Sequence, residues 1–256
     1  GSDEFVRRLP TAARDRALAK LDQTPSTVRI VDDLPPDGAI QRRIDGFFTA
    51  PLFLTNDGDY RSGTTLALGA DGLPALQGMY EAPFTAVIPA CVYTSPTPVG
   101  MMMYGHGLNG ASTQAASGVI KDTAVAACVI SIGTDMRGMS EKDIAQIAGA
   151  LTNLDHADEV MEVLVQGITN HVSLARAMKT VFASDVFVCR AEDATATGCT
   201  VGAHLADPNK LYYYGLSQGH IFGTTVMAYT PDITRGAIGV GGGNYSTMLE
   251  RSSDWP

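Results

Sequence analysis

The stretch LYYYGLSQGHIFGTTVMAY, residues 211–229, decides the reading of this chain. An apolar, aromatic run leads into Gly215-Leu-Ser217-Gln-Gly219, and a segment of helical character follows. A short apolar run of this kind is what a parallel strand covered on both faces looks like. A serine hydroxyl is a poor nucleophile unless it is exposed, near a base and near donors for an oxyanion. A sharp strand-to-helix turn supplies the exposure, at a backbone strain of roughly 1–3 kcal/mol. Positions two before and two after that serine approach the strand and helix closely, and Gly215 and Gly219 remove the side chains that clash there. The pattern is that of a nucleophile elbow; its structural alternative is a glycine-rich turn without chemistry.

Working outward, VGMMMY (99–104), bounded by Pro98 and Gly105, CVISIG (128–133) and RGAIGVGG (235–242) read as further buried strands. Helical patterns separate them. Residues 111–126 place Ala116, Val119, Ile120, Thr123 and Ala124 on one face. Ser140 and Asp143 have capping-box spacing ahead of Ile144, Ile147, Ala148 and Leu151. A longer pattern over 158–182 aligns Leu164, Ile168, Val172, Ala175 and Met178, and 219–229 follows the elbow. Strands alternating with helices predict an α/β chain whose mostly parallel sheet carries helices on both faces. The first hundred residues differ. A helix over 11–23 is stopped by Pro25. Strands over 28–34, 41–50 and 82–93, with an Asp-Gly turn at 69–74, predict antiparallel β structure, and TSPTP (94–98) reads as a stiff connector. The expected division is 3–93, a helix and antiparallel β region leading into the sheet, and 94–256, the core.

Composition bounds the function. Of 256 residues, 45% are hydrophobic and 18% charged, and the net charge is -9. That is ordinary globular composition. The acidic balance argues against a nucleic-acid partner, because phosphate contacts need a basic face. No apolar run reaches the length of a transmembrane helix. Gly1-Ser2 reads as a tag scar. None of Cys91, Cys128, Cys189 and Cys199 forms a C-x-x-C pair, so zinc is not expected, and no other metal or cofactor is called for. Cys189 and Cys199 bracket a polar loop that a disulfide closes easily, contributing about 2–3 kcal/mol. That bridge favours export, secreted or periplasmic, over four free thiols in a cytosolic protein.

A second stretch supports the elbow. MMMYGHGLNG (101–110) puts His106-Gly107-Leu108 at the end of a buried strand about 110 residues upstream of Ser217. An acyl-transfer site needs two backbone N–H groups aimed at the oxyanion. One comes from the residue after the nucleophile, Gln218, and the other from a loop after an earlier strand. With both motifs in this order, the chain resembles the α/β-hydrolase superfamily, and within it the bacterial lipases and esterases with a His-Gly-Leu oxyanion loop and a Gly-x-Ser-Gln-Gly elbow. The resemblance covers about residues 82–250. It makes MMMYGHG the family's third strand, CVISIGTD the fourth, LYYYG the fifth and RGAIGVGG the sixth. It implies a catalytic Ser217, oxyanion donors at Leu108 and Gln218, and loop-shaping roles for His106, Gly107, Gly215 and Gly219. Asp135-Met-Arg137-Gly138 is similar to a turn of some hydrolases and peptidases, and reads more simply as a polar loop with an Asp–Arg pair. The strands bearing Cys91 and Cys128 are neighbours in the family, so these two are expected as a bridge or as buried thiols.

The implied activity is cleavage of carboxylic esters, small-molecule or lipid, through an acyl-enzyme on Ser217. Alternatives are a peptidase, thioesterase, acyltransferase or polyester depolymerase of the same fold, or a non-catalytic module. In the family's chain order the acid and the histidine follow the serine. Here the late acids are Asp232 and Asp254, and the last histidine is His220, too close to Ser217 on the same helix to face it. His156, His171 and His204 are expected as surface or core histidines. The acid and base are therefore expected from a C-terminal segment or second chain, without which a sheet edge is left uncovered.

Overall fold

The computed structural model describes residues 2–242 and 251; NYSTMLERSSDWP (244–256), read as the start of a helix, lies outside these except for Arg251. Seven strands form one sheet: β1 (Val28–Leu34), β2 (Ile40–Leu52), β3 (Gly78–Pro89), β4 (Val99–Gly105), β5 (Ile130–Thr134), β6 (Ala206–Leu216) and β7 (Arg235–Gly239). Their order is β1-β2-β3-β5-β4-β6-β7. The strands β5, β4, β6 and β7 pair in parallel, while β1, β2 and β3 pair antiparallel and join the parallel half through the antiparallel β3–β5 ladder. This is the expected α/β architecture, with its antiparallel N-terminal region.

Side chains alternate between the two faces of a strand, and β4 shows how both faces are covered. Met102 and Tyr104 pack with Ile120 and Ala124 of helix α3 (Gly118–Ala127). Met101 and Met103 join the main core with Tyr213 of β6, Val172 of α5 (Ala157–Ala177), and Phe222 and Val226 of α7 (Gln218–Tyr229). Both faces of β4 are thus under helices, which is why its sequence is apolar throughout. The helix α5 is buried nearly all round, because α1 (Ser2–Gln23) lies along its outer side. Several of its inward polar groups pair with neighbouring elements, while Asn170 Nδ2 and His171 Nε2 have no partner among the described residues. Gln166 Nε2 donates to Pro51 O at 3.0 Å and to Asn170 Oδ1 at 2.8 Å, and Tyr80 donates to the same Oδ1 at 2.8 Å.

Several sequence expectations shift. The helix α1 begins at Ser2 and runs through Pro10, since Leu9, Ala13, Ala17 and Leu21 form a stripe that packs inward. The 82–93 strand ends at Pro89, and Ala90–Tyr93 turns into the short helix α2. The expected helix over 111–126 divides into a 3-10 turn at Ser112–Ala116 and α3, because Ser117 is extended and Gly118 has φ +49°. The register changes with it, so Ala115, Ile120 and Ala124 point inward and Val119 is 60% exposed. In α4 (Ile144–Thr152) the inward residues are Gln146 and Ala150, and Ile144 is exposed. The buried Asp143 just before α4 sets that rotation by drawing its own side of the helix toward Arg137. The long pattern over 158–182 becomes α5 followed by π-helical turns over Met178–Val186.

Two disulfides stand at the end of the sheet where the parallel strands begin. The expected Cys189–Cys199 bridge is present, with Cα atoms 6.2 Å apart. Cys91 and Cys128 are bridged rather than free, at 6.0 Å, and lie just off β3 and β5 in α2 and at the C-cap of α3.

Candidate active site

The strand β6 ends at Leu216 and α7 begins at Gln218. Ser217 between them has φ +55° and ψ -120°, and is exposed. Non-glycine residues rarely hold such a backbone, which costs about 1–3 kcal/mol. Its neighbours hold it from both sides. Ser217 N–H donates to Gly239 O at the end of β7 at 3.1 Å, and Ser217 O accepts from His220 N–H at 3.0 Å in the first turn of α7.

The glycines permit a contact no other residue allows. A Cβ on Gly219 would stand 2.0 Å from Gly105 O, and one on Gly215 would stand 2.2 Å from Gly219 O. Gly105 is also the register partner of Gly215 in the β4–β6 ladder. The two motifs, far apart in sequence, therefore emerge side by side at the C-terminal ends of adjacent parallel strands, where open α/β sheets place their ligands. Tyr213 ties them together. Its hydroxyl donates to Gly219 O at 2.7 Å and fills the space a Gly105 side chain would take. Burial pushes the Tyr213 hydroxyl pKa up, so it stays a donor.

The loop after β4 is fixed by its own polar groups. His106 Nδ1–H donates to Gly107 O at 2.7 Å, and Nε2 accepts from Met136 N–H at 2.8 Å. Both ring nitrogens are used with the proton on Nδ1, and burial holds the imidazole pKa below its usual value. Gly107 N–H donates to Gln114 Oε1 at 3.0 Å, and Gly107 O also accepts from Gly110 N–H at 3.0 Å. Among the described residues, the N–H groups of Leu108 and Gln218 have no acceptor. Gln218 N–H opens α7, where the helix dipole is positive.

Beside the loop lies a buried ion pair. Asp143 accepts from Arg137 Nε at 3.2 Å, Gly138 N–H at 2.8 Å and Ser140 N–H at 3.0 Å. Arg137 donates to Gly58 O at 2.5 Å and lies 3.7 Å from the Tyr60 ring centroid. The Asp–Arg pair expected within Asp135-Met-Arg-Gly does not form; Asp135 instead accepts from Ser112 N–H at 2.8 Å. Sequence reading missed the Arg137–Asp143 pair because Asp143 already had a complete explanation as a capping residue.

Among the described residues, no histidine ring nitrogen hydrogen-bonds the Ser217 hydroxyl. His156 donates to Glu159, His171 to Gly167 O and His204 to Ala183 O. His220 Nδ1 accepts from Gly241 N–H at 3.0 Å, which turns it along the β7 exit. Among the described residues, no cluster of His, Cys, Asp and Glu could hold a metal ion, and no helix is long and apolar enough to cross a membrane. A cavity of about 1040 Å³ opens at the opposite end of the sheet, between β1, the π-helical turns and the His204–Pro208 segment.

No family model matches the chain, and no curated protein does. Among solved structures it is similar in fold to acetyl xylan esterase 1 from Thermoanaerobacterium sp. JW/SL YS485, at 13% identity and a TM-score of 0.49, covering 88% of this chain and 55% of that one. It is also similar to the acetyl xylan esterase from Paenibacillus sp. R4, at 13% identity, TM-score 0.42 and coverages of 87% and 56%. A third is the CE15 glucuronoyl esterase from Teredinibacter turnerae T7901, at 13% identity, TM-score 0.37 and coverages of 82% and 44%. The chain spans about half the length of the solved structures it matches first.

Proposed function

We propose that this chain carries the nucleophile and oxyanion parts of a serine hydrolase that cleaves carboxylic esters. The observation that carries the reading is Ser217, exposed at φ +55° where β6 turns into α7, beside the loop after β4. Ser217 Oγ attacks the ester carbonyl, and the N–H groups of Leu108 and Gln218 receive the oxyanion. The alcohol leaves, and water releases the acid from the acyl-enzyme. His106 shapes the loop, since neither of its ring nitrogens is open to take a proton from the serine. Acyl transfer also needs a base and an acid. This reading takes them from residues outside those described, because all five histidines are engaged elsewhere. Two disulfides fit an oxidising compartment, so the proposed location is secreted or periplasmic.

The same absence of a histidine at Ser217 favours, as the second reading, a hydrolase fold without catalysis. A fluorophosphonate probe on the protein together with the segment or second chain that supplies the base separates the two. Labelling at Ser217, abolished in Ser217→Ala, supports the hydrolase; a folded protein that takes no label supports the non-catalytic module. A panel of p-nitrophenyl esters, thioesters and peptides then fixes the bond cleaved.

A further inference from the structure

The loop that would hold the oxyanion is centred on a glycine, the residue with the least intrinsic backbone preference. Its order must come from outside the backbone. Three clamps act on Gly107. Two hold its carbonyl, from His106 Nδ1–H at 2.7 Å and Gly110 N–H at 3.0 Å. The third holds its N–H, which donates to Gln114 Oε1 at 3.0 Å. The carbonyl of Gly107 and the N–H of Leu108 belong to one planar trans peptide and point opposite ways. Holding that carbonyl therefore sets the direction of the Leu108 N–H, and holding the preceding peptide as well keeps the glycine between them from swinging the whole unit. Gln114 is the side chain that holds that preceding peptide.

Gln114 is well placed for this task. It stands on the 3-10 turn Ser112–Ala116, which is anchored at both ends: Ser112 N–H donates to Asp135 Oδ1 at 2.8 Å, and Ala115 O accepts from Ser131 Oγ at 3.1 Å. Its amide lies against Gly110, where an added Cβ would stand 2.6 Å from Nε2. The loop and the side chain are thus packed together as well as bonded. We propose that Gln114 is a positioning residue of the oxyanion site. It touches no reacting atom, and it fixes the peptide that joins His106 to Gly107, so that the Leu108 N–H faces the reacting carbonyl. The inference rests on the ester-hydrolase reading for its catalytic consequence, and on the loop geometry alone for its structural one.

The test compares Gln114→Met, nearly the same shape without an acceptor, with Gln114→Glu, which keeps an acceptor oxygen. Thr113→Ala, an exposed neighbour, serves as control. Intact sites are counted by fluorophosphonate labelling, and rates on p-nitrophenyl acetate are expressed per labelled site. Gln114→Met is expected to lower kcat about 10- to 100-fold with KM within about twofold. The inhibition constant of a trifluoromethyl ketone, which forms a tetrahedral adduct on the serine, should rise by the same factor. Gln114→Glu should recover most of the loss, and Thr113→Ala should behave as the parent. Hydrogen exchange over residues 104–112 gives a readout independent of activity, with the Gly107 amide exchanging about tenfold faster or more in Gln114→Met. Unchanged exchange, or an unchanged per-site kcat and inhibitor affinity, overturns the role of Gln114. Retained hydrolysis in Ser217→Ala overturns the ester-hydrolase reading instead, and leaves the exchange result to decide the clamp.

Discussion

The two ends of the parallel sheet are built in opposite ways. At the C-terminal ends of β4 and β6, three glycines bring backbones closer than a Cβ allows, and Tyr213 fills the remaining space. At the other end, Arg42 and Arg190 share Asp33, two disulfides lie close by, and a cavity of about 1040 Å³ opens. A groove by itself carries no chemistry. Chemistry points to the first end, because a strained exposed serine and two unpaired N–H groups concentrate there. On the proposed reading, the site at the first end is built from backbone direction, while the groove at the second end lies away from Ser217.

The largest expected effect breaks the contrast outright. Ser217→Ala should lower ester hydrolysis at least about a thousandfold and remove fluorophosphonate labelling. Its melting temperature should stay close to the parent's, because alanine keeps a Cβ at φ +55° and so neither adds nor relieves backbone strain. Hydrolysis that survives Ser217→Ala and falls on altering a cavity residue such as His204 would move the site to the other end.

Next comes Gly219→Ala. One methyl group would stand 2.0 Å from the Gly105 carbonyl oxygen, with backbone on both sides. Neither part can yield by changing a rotamer, so the expected cost is about 3 kcal/mol, the upper range of overpacking. Chemical denaturation measures the loss, which should come with lost labelling because the β4 exit loop is pushed away. A variant as stable as the parent would show that the two strand ends are looser than this packing implies.

How much of this was legible follows from the same glycines. The Gly-x-Ser-Gln-Gly spacing and the apolar run before it are local signals, and the strand-to-helix turn stands there in the structure. Gly105 opposite Gly215 was not legible, because strand register depends on pairing across about 110 residues. The inward face around 111–126 was misread because the chain breaks at Ser117 and Gly118, and that around 144–151 for another reason. Apolar periodicity assumes that polar residues face out, and here Gln146 and Asp143 point inward to serve Thr64 O and Arg137. Gln114 left no mark in the sequence, since its partner is a backbone N–H.

Acid sharpens the contrast from the side of the elbow. His171 on α5 is fully buried against Phe222 of α7, its Nδ1–H donates to Gly167 O, and its Nε2 has no partner. Burial lowers its pKa to about 4, and His106 shifts in the same direction. A histidine with a folded pKa below its unfolded value of about 6.5 favours the native state fully above pH 6.5. That contribution declines as pH falls from 6.5 toward 4, by about 3 kcal/mol in all for His171. Unfolding free energies measured across this window should fall steeply in the parent and more gently in His171→Gln. Parallel curves would mean that His171 is solvated in the folded state.

The smallest effect isolates the opposite end. Cys189 is buried in the core, and Cys199 lies on the loop that carries His204 back to β6. Their bridge closes a short loop, so replacing both with alanine should cost about 2–3 kcal/mol by releasing the unfolded chain. The path from this bridge to Ser217 runs the length of β6, which is held on both sides by parallel ladders with β4 and β7. A change confined to the strand's start should leave its end in place. The double variant is therefore expected to melt several degrees lower, yet to label at Ser217 and turn over ester at the parent rate per folded molecule. Per-site activity that falls with the bridge would show that the two ends are mechanically coupled through β6, and the separation between a backbone-built site and a stabilising base would no longer hold.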